Sequence, residues 1–265
     1  VGARKMPEPL VRDLGQGPVV VLLHALLLDG SIFDHQALFL ASQGYRVIVP
    51  DYAGHGFSAR VAPDQTVAAM ARQVFEVLVQ KEITEPVILG GLSMGGYVSF
   101  AAFEAYRERI KGLMLMDTRA VPDTADEATN RRRAAELIRQ AGSVGPLAAT
   151  MMPRLLGKST VKYQPQVWKS VAEILDRMDV EAACDALMAL ASRPDRRPML
   201  AAIDVPTLVL VGQEDVISTP AEMAGLAQAV AGSVFSEIAG AGHLVTVEKP
   251  DAVNQSILMF LRQSF

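Results

Sequence analysis

The sequence predicts an α/β fold in which a mostly parallel sheet is covered by helices on both faces and interrupted once by a helical insertion. Three observations predict it. Short runs of β-branched and aliphatic residues without polar alternation recur along the chain, as expected of strands buried on both faces. Segments with apolar residues three and four apart lie between them, the alternation that builds a parallel sheet. Between residues 121 and 198 that rhythm stops, and only helical patterns occur. With 265 residues, 50% of them hydrophobic, the chain can bury one large core and still carry an insertion.

Gly17-Pro18 breaks the chain before the run Val19-Val20-Val21-Leu22-Leu23, the first expected strand. A helical segment over 31–43 stops at Gly44, and a second strand follows over 45–50. Thr66 is placed to cap a helix whose apolar positions are Val67, Met70, Val74, Val77 and Leu78. A strand over 86–90, a helix from Met94 to about 109 and a strand over 110–117 complete the first half. In the insertion, Thr124-x-x-Glu127 is a capping box and Gly142 ends its helix. Strand character returns over 205–211. Thr219-Pro220-Ala221-Glu222 then opens a capped helix, and a last strand over 233–238 leads into Gly240-Ala241-Gly242-His243. A closing helix starts at Pro250 and carries Val253, Ile257 and Leu261 on one face. The expected organisation is a core of residues 1–120 and 199–265 with a helical cap over 121–198.

A formal net charge of -4 and a pI near 5.6 argue against a nucleic-acid partner, which calls for a basic stripe. The one basic run, Arg131-Arg132-Arg133, is expected on a solvated helix face. Cys184 is the single cysteine, so no internal disulfide forms; a buried structural thiol in a reducing compartment is expected. Val1-Gly2-Ala3-Arg4-Lys5 leads to Pro7 and Pro9 rather than to an apolar segment, which does not read as a signal peptide. The longest apolar run, over 18–28, is interrupted by His24 and too short to span a bilayer. A soluble, cytoplasmic protein without a membrane partner is expected. Gly54-x-Gly56-x-x-Ala59 nominally fits a dinucleotide fingerprint, but Pro63 and Asp64 come before the next helix, so no helix N-terminus faces a pyrophosphate. No phosphate-binding loop and no metal-ligand spacing occurs, so neither cofactor nor metal is expected.

Chemistry concentrates at Gly91-Leu92-Ser93-Met94-Gly95, between a strand and a helix. A sharp turn there pushes the Ser93 hydroxyl out of the sheet, and a Cβ on either glycine would collide with neighbouring backbone. A serine hydroxyl is a poor nucleophile until a base takes its proton, and the base needs a carboxylate to fix its tautomer. Of the histidines at 24, 35, 55 and 243, His243 follows the last strand, where loops at the carboxyl edge of a parallel sheet converge. Asp215 follows the strand over 207–211 and reaches the same edge; Glu214 beside it and Asp117 after the preceding strand are alternatives. His24 and His55 are expected to hold loops by hydrogen bonds.

In this order of Ser93, Asp215 and His243 the chain resembles the α/β-hydrolase family, and most closely its small serine esterases, lactonases and cofactor-free haloperoxidases or perhydrolases. Leu23-His24-Ala25-Leu26 is similar to the family's oxyanion loop, and Asp51-x-x-Gly54-His55-Gly56-x-Ser58 to its turn after the next strand. The resemblance implies the α/β-hydrolase fold, an oxyanion held by the N–H groups of Met94 and Leu26, and no cofactor. It departs at Ala25, where the family has glycine. If the loop takes a positive φ there, Ala25 would be strained. Leu27, Phe33, Met152, Trp168, Met188 and Leu244 are the expected pocket residues, with helix packing the alternative for those in the cap. Arg119 is expected in a salt bridge to the cap or facing an anionic substrate. The implied activity is hydrolysis of carboxylic esters with a small to medium apolar acyl group through an acyl-enzyme. Alternatives are a lactonase or perhydrolase on the same triad, or a receptor-like, catalytically silent binder. Ser93 excludes an aspartate nucleophile, and the oligomeric state is open.

Overall fold

The parallel runs seen in the sequence assemble into one sheet. A computed structural model describes residues 10–60 and 66–265, so the Val1-to-Pro9 reading and the Pro63-Asp64 interruption lie outside the described residues. Among the described residues the strands are β1 (Val11–Leu14), β2 (Val19–Leu23), β3 (Arg46–Pro50), β4 (Val87–Leu92), β5 (Ile110–Met116), β6 (Thr207–Gly212) and β7 (Val234–Ile238). Their order is β1-β3-β2-β4-β5-β6-β7; β1 runs antiparallel to β3, and every other pair is parallel. Every residue of β2, β4 and β6 is buried, because helices cover both faces of the sheet at those positions.

β1 is the strand that pattern reading misses. Val11-Arg12-Asp13-Leu14 is half-buried at an edge and has no apolar run. Arg46 of β3 donates to Asp13 at 2.9 Å, and Lys81 lies 3.3 Å from the same carboxylate, so charge pairing helps hold this edge.

The helices follow in chain order as α1 (Asp34–Ser42), α2 (Val67–Gln80), α3 (Met94–Ala105), α4 (Ala125–Ala141), α5 (Gly145–Leu155), α6 (Lys158–Tyr163), α7 (Pro165–Asp176), α8 (Val180–Ala191), α9 (Pro220–Ala229), α10 (Val245–Glu248) and α11 (Pro250–Ser264). Their ends are chemically marked. Thr66 accepts from Ala69 N–H at 3.0 Å, both expected capping boxes close, and Gly142 ends α4 at φ 64°. The helix after Ser93 ends at Ala105 rather than near 109, giving way to a 3₁₀ turn over Arg107–Arg109. Between β5 and β6 the chain forms α4 to α8 and no strand. Cys184 is buried on α8, its thiol 3.3 Å from Ala135 O. Among the described residues no helix is long and apolar enough to cross a membrane.

The loop after β2 is fastened by His24. Its Nδ1–H donates to Ala25 O at 3.0 Å, and Nε2 accepts from Tyr52 N–H at 3.1 Å, which together require the neutral ring. Burial pushes the pKa of His24 down to about 3 and that of His55 down to about 4, so both are neutral fasteners rather than proton carriers. The unfolded chain takes up the His24 proton near pH 6.5, whereas the folded chain takes it up near 3. The contribution of His24 to stability is therefore complete above pH 6.5 and declines as pH falls towards 3. Comparing wild type with His24→Asn by denaturant unfolding, the wild-type advantage should shrink below pH 6.5 at up to about 1.4 kcal/mol per pH unit. A pH-independent difference would contradict this role.

Candidate active site

Ser93 occupies a strained turn between β4 and α3, with φ 55° and ψ -110°. Such a conformation costs a β-carbon residue roughly 1–2 kcal/mol and persists only where its surroundings enforce it. Here Ser93 N–H donates to Met116 O at 2.9 Å, while Ser93 O accepts from Thr118 Oγ1–H at 2.8 Å and from Gly96 N–H at 2.9 Å. A Cβ on Gly91 would strike the Gly95 carbonyl and Gly96 N; one on Gly95 would strike the Leu23 carbonyl of β2. Both glycines are thus required by close backbone approach.

The hydroxyl so presented meets His243. Ser93 Oγ lies 2.8 Å from His243 Nε2, and His243 Nδ1 lies 2.8 Å from Asp215 Oδ2. The other Asp215 oxygen accepts from Ile217 N–H at 2.7 Å and Ser218 N–H at 3.2 Å, so the Nδ1–H tautomer follows from an acceptor held in place by backbone. His243 and Asp215 are both buried.

The two competing acids are engaged elsewhere. Glu214 accepts from Ser159 Oγ–H at 2.5 Å and Ser159 N–H at 2.8 Å, bonds that hold its carboxyl below the usual range. Asp117 accepts from Gly212 N–H at 2.8 Å through Oδ1, while its buried Oδ2 has no hydrogen-bond partner. Burial, and then the charge of Asp215, push the Asp117 carboxyl well above its usual range, favouring the neutral acid. Asp117, Asp215 and His243 bring possible metal-ligating atoms within 4.8 Å of one another. Both His243 nitrogens and both Asp215 oxygens already have hydrogen-bond partners.

Met94 is the first residue of α3, where N–H groups have no intrahelical acceptor and the helix dipole favours negative charge. Leu26 N–H likewise finds no acceptor among the described residues, and Leu26 lines the cavity beside Ser93. The left-handed residue of this loop is Leu27, at φ 60°; Ala25 is not in that region, so the strain considered for it does not arise.

The cavity has a volume of about 330 Å³. Three inserted helices wall it with regular stripes: Glu127, Asn130, Arg131 and Ala134 of α4; Leu147, Thr150, Met151, Arg154 and Leu155 of α5; Leu187 and Leu190 of α8. None of the six expected pocket residues lines it. Leu27, Phe33, Met152 and Leu244 are buried away from it, Trp168 is half-buried against the core, and Met188 is 44% exposed. Their neighbours Leu26, Met151, Leu187 and His243 line it instead. For Met152 and Met188 the helix turn is right and the face wrong, since one step along a helix rotates a side chain by about 100°. Leu27 and Leu244 miss by one residue in loops, and the segments that carry Phe33 and Trp168 do not line the cavity. Arg131 is likewise turned into the cavity and pairs with Asp123, while Arg132 and Arg133 stay exposed. Arg119 bridges to Glu127 at 3.1 Å.

Glu248 is the residue that motif reading overlooks. It is buried, and its Oε1 accepts from Gly242 N–H at 3.0 Å and Leu244 N–H at 3.1 Å, one on each side of His243. Its Oε2 accepts from Gly157 N–H at 2.8 Å, tying the inserted helices to the same loop. The signal available was a lone acid in the apolar stretch Leu244-Val245-Thr246-Val247 just before Pro250. If Glu248 positions His243, Glu248→Gln should cost about 1–3 kcal/mol of stability by leaving an N–H opposed by an amide. Steady-state kinetics on any accepted substrate should show a loss of tenfold or more in kcat with little change in KM; unchanged kcat in the folded variant would remove the role.

Comparison with known proteins bears on the fold. Residues 20–256 match the Alpha/beta hydrolase family. The chain is similar to 3-oxoadipate enol-lactonase 2 of Acinetobacter baylyi, with 26% identity over 91% of this chain and 87% of that protein. Among solved structures it is similar to the malate-bound thermophilic esterase of Thermogutta terrifontis, at 40% identity and a TM-score of 0.94, covering 96% of this chain and 93% of that one. The enol-lactonase of Burkholderia xenovorans gives 28% identity and a TM-score of 0.87, covering 96% of each chain.

Proposed function

Because the chain belongs to the alpha/beta hydrolase family and has its fold, we propose that it is a serine hydrolase cleaving carboxylic esters with a small to medium apolar acyl group. One observation carries the reading: a Ser93 hydroxyl 2.8 Å from His243 Nε2, with His243 Nδ1 2.8 Å from Asp215. Ser93 Oγ attacks the ester carbonyl as His243 takes its proton, and Asp215 stabilises the imidazolium in the orientation it already holds. The N–H groups of Met94 and Leu26 take the oxyanion. Collapse expels the alcohol, which receives the proton from His243, and the acyl group stays on Ser93. Water, deprotonated by His243, then releases the acid. Among small-molecule sites a cavity of about 330 Å³ is at the small end, which supports a small to medium substrate.

A lactone substrate runs through the same steps with the leaving alcohol tethered to the acyl group, and the similarity to enol-lactonases favours it as the second reading. A perhydrolase would differ only in its acceptor, peroxide in place of water. The connected relay supports turnover over silent binding.

Hydrolysis of p-nitrophenyl esters from acetate to decanoate should show an optimum at short or medium chains and vanish in Ser93→Ala. Asp215→Asn should lower kcat by about 10⁴-fold through loss of the working tautomer. Asp117→Asn should cost far less, since an amide keeps the Gly212 bond and mimics a neutral acid. A reversed order for the two aspartates, both variants folded, would transfer the acid role to Asp117.

A further inference from the structure

The roof of the Ser93 cavity is unevenly charged. Arg119, Arg131 and Arg154 all line it, against a single acid, Glu127. Two of these cations are answered within the chain. Arg119 donates to Glu127 Oε1 at 3.1 Å, and Arg131 pairs with Asp123, which also receives the buried Arg193.

Arg154 is different. It sits in the last turn of α5, exposed, and among the described residues it has no carboxylate partner and no hydrogen-bond acceptor. It is also in phase with the stripe that walls the cavity, three, four and seven residues after Met151, Thr150 and Leu147. A wall that begins with Leu147 and Met151 thus ends in an unanswered guanidinium. A second donor in the same roof is also unsatisfied: Arg119 Nε is buried without an acceptor. A guanidinium offers a planar fork that matches a carboxylate, and because Arg154 is exposed such a pairing is sensitive to salt. The chain's net charge of -4 makes this local excess of cations a property of the cavity rather than of the whole surface.

We propose that the site selects esters or lactones bearing a free carboxylate, which Arg154 binds at the roof while the scissile carbonyl lies at Ser93. This rests on the serine-hydrolase reading for turnover, but not for binding. The carboxylate belongs either to the alcohol part of the substrate or to the far end of an otherwise apolar acyl chain, and paired substrates separate the two.

The test compares kcat/KM, by titration of released acid, for ethyl hydrogen adipate, with its charge on the acyl side, 2-hexanoyloxyacetate, with its charge on the alcohol side, and uncharged ethyl hexanoate. One charged ester should exceed ethyl hexanoate by tenfold or more at low salt, identifying the side, and the advantage should shrink in 0.5 M salt as expected of a partly exposed pair. Arg154→Gln should bring the ratio of charged to uncharged ester to within about twofold, mostly through KM, and Arg154→Lys should restore part of it. Equal kcat/KM for all three esters, or a ratio unmoved by Arg154→Gln, overturns the proposal. If no ester shows Ser93-dependent turnover, the hydrolase reading fails instead. Calorimetry with adipate on wild type and Arg154→Gln then decides the anion site alone: binding lost in the variant supports it, and no binding to wild type removes it.

Discussion

The arrangement depends first on the left-handed backbone of Ser93. Strand β4 delivers the residue at the carboxyl edge of the sheet, and α3 leaves at once; the two fit only because Gly91 and Gly95 let the Gly95 carbonyl and the Leu23 carbonyl approach without a Cβ between them. Three hydrogen bonds from β5, Thr118 and the first turn of α3 hold a conformation that would relax if it were free. The same pattern recurs next door. Leu27 after β2 and Asp117 after β5, at φ 60° and 42°, are left-handed non-glycine residues at the ends of the two strands that flank β4. Strain of this kind persists where surrounding structure over-determines it; three of the four such residues among the described ones follow β2, β4 and β5, and the fourth, Glu82, follows α2.

Electrostatics then sorts the acids. Two carboxyl groups beside one imidazole in a buried site cannot both carry charge at low cost. The chain resolves the conflict by wiring: Asp215 receives two backbone N–H groups and His243, whereas Asp117 receives one N–H and keeps an oxygen unpartnered. The better-solvated carboxylate is the one aimed at the ring, and its neighbour avoids competing by favouring the neutral form. Glu214, adjacent in sequence, is turned to Ser159 instead.

What could be read from the sequence follows from how local each feature is. The Ser93 turn, the capping boxes at Thr124 and Thr219 and the doubly buried strands are written in a few consecutive residues, so pattern suffices for them. β1 is not, because Val11-Arg12-Asp13-Leu14 becomes a strand only through pairing with β3. Nor is which carboxylate meets His243: Asp117, Glu214 and Asp215 all reach one edge, and hydrogen bonds contributed by distant residues separate them. The pocket failed for a geometric reason. Choosing Met152 over Met151, or Met188 over Leu187, requires the rotational phase of a helix against the sheet, and that is set by packing rather than by composition. Glu248 is the extreme case, since its three donors come from residues 157, 242 and 244.

Glu248 also ties the roof of the cavity to the His243 loop. Gly157 precedes α6 and Gly242 precedes His243, and a Cβ on either would run into the other's backbone, so the inserted helices rest directly on the histidine loop. Leu244 N–H reaches Leu155 O at 3.1 Å, and Ser159 reaches Glu214 beside Asp215, which adds two further ties. Leu155 and Arg154 belong to the wall of the cavity, so the segment that shapes the pocket is bonded to the segments that hold His243 and Asp215 in place. A shift of α5 that enlarged the cavity would pull on the His243 loop, with Ser93 fixed by its own turn. Pocket size in this chain is therefore adjustable chiefly through side chains on the α4 and α5 stripes, and much less through movement of the helices that carry them.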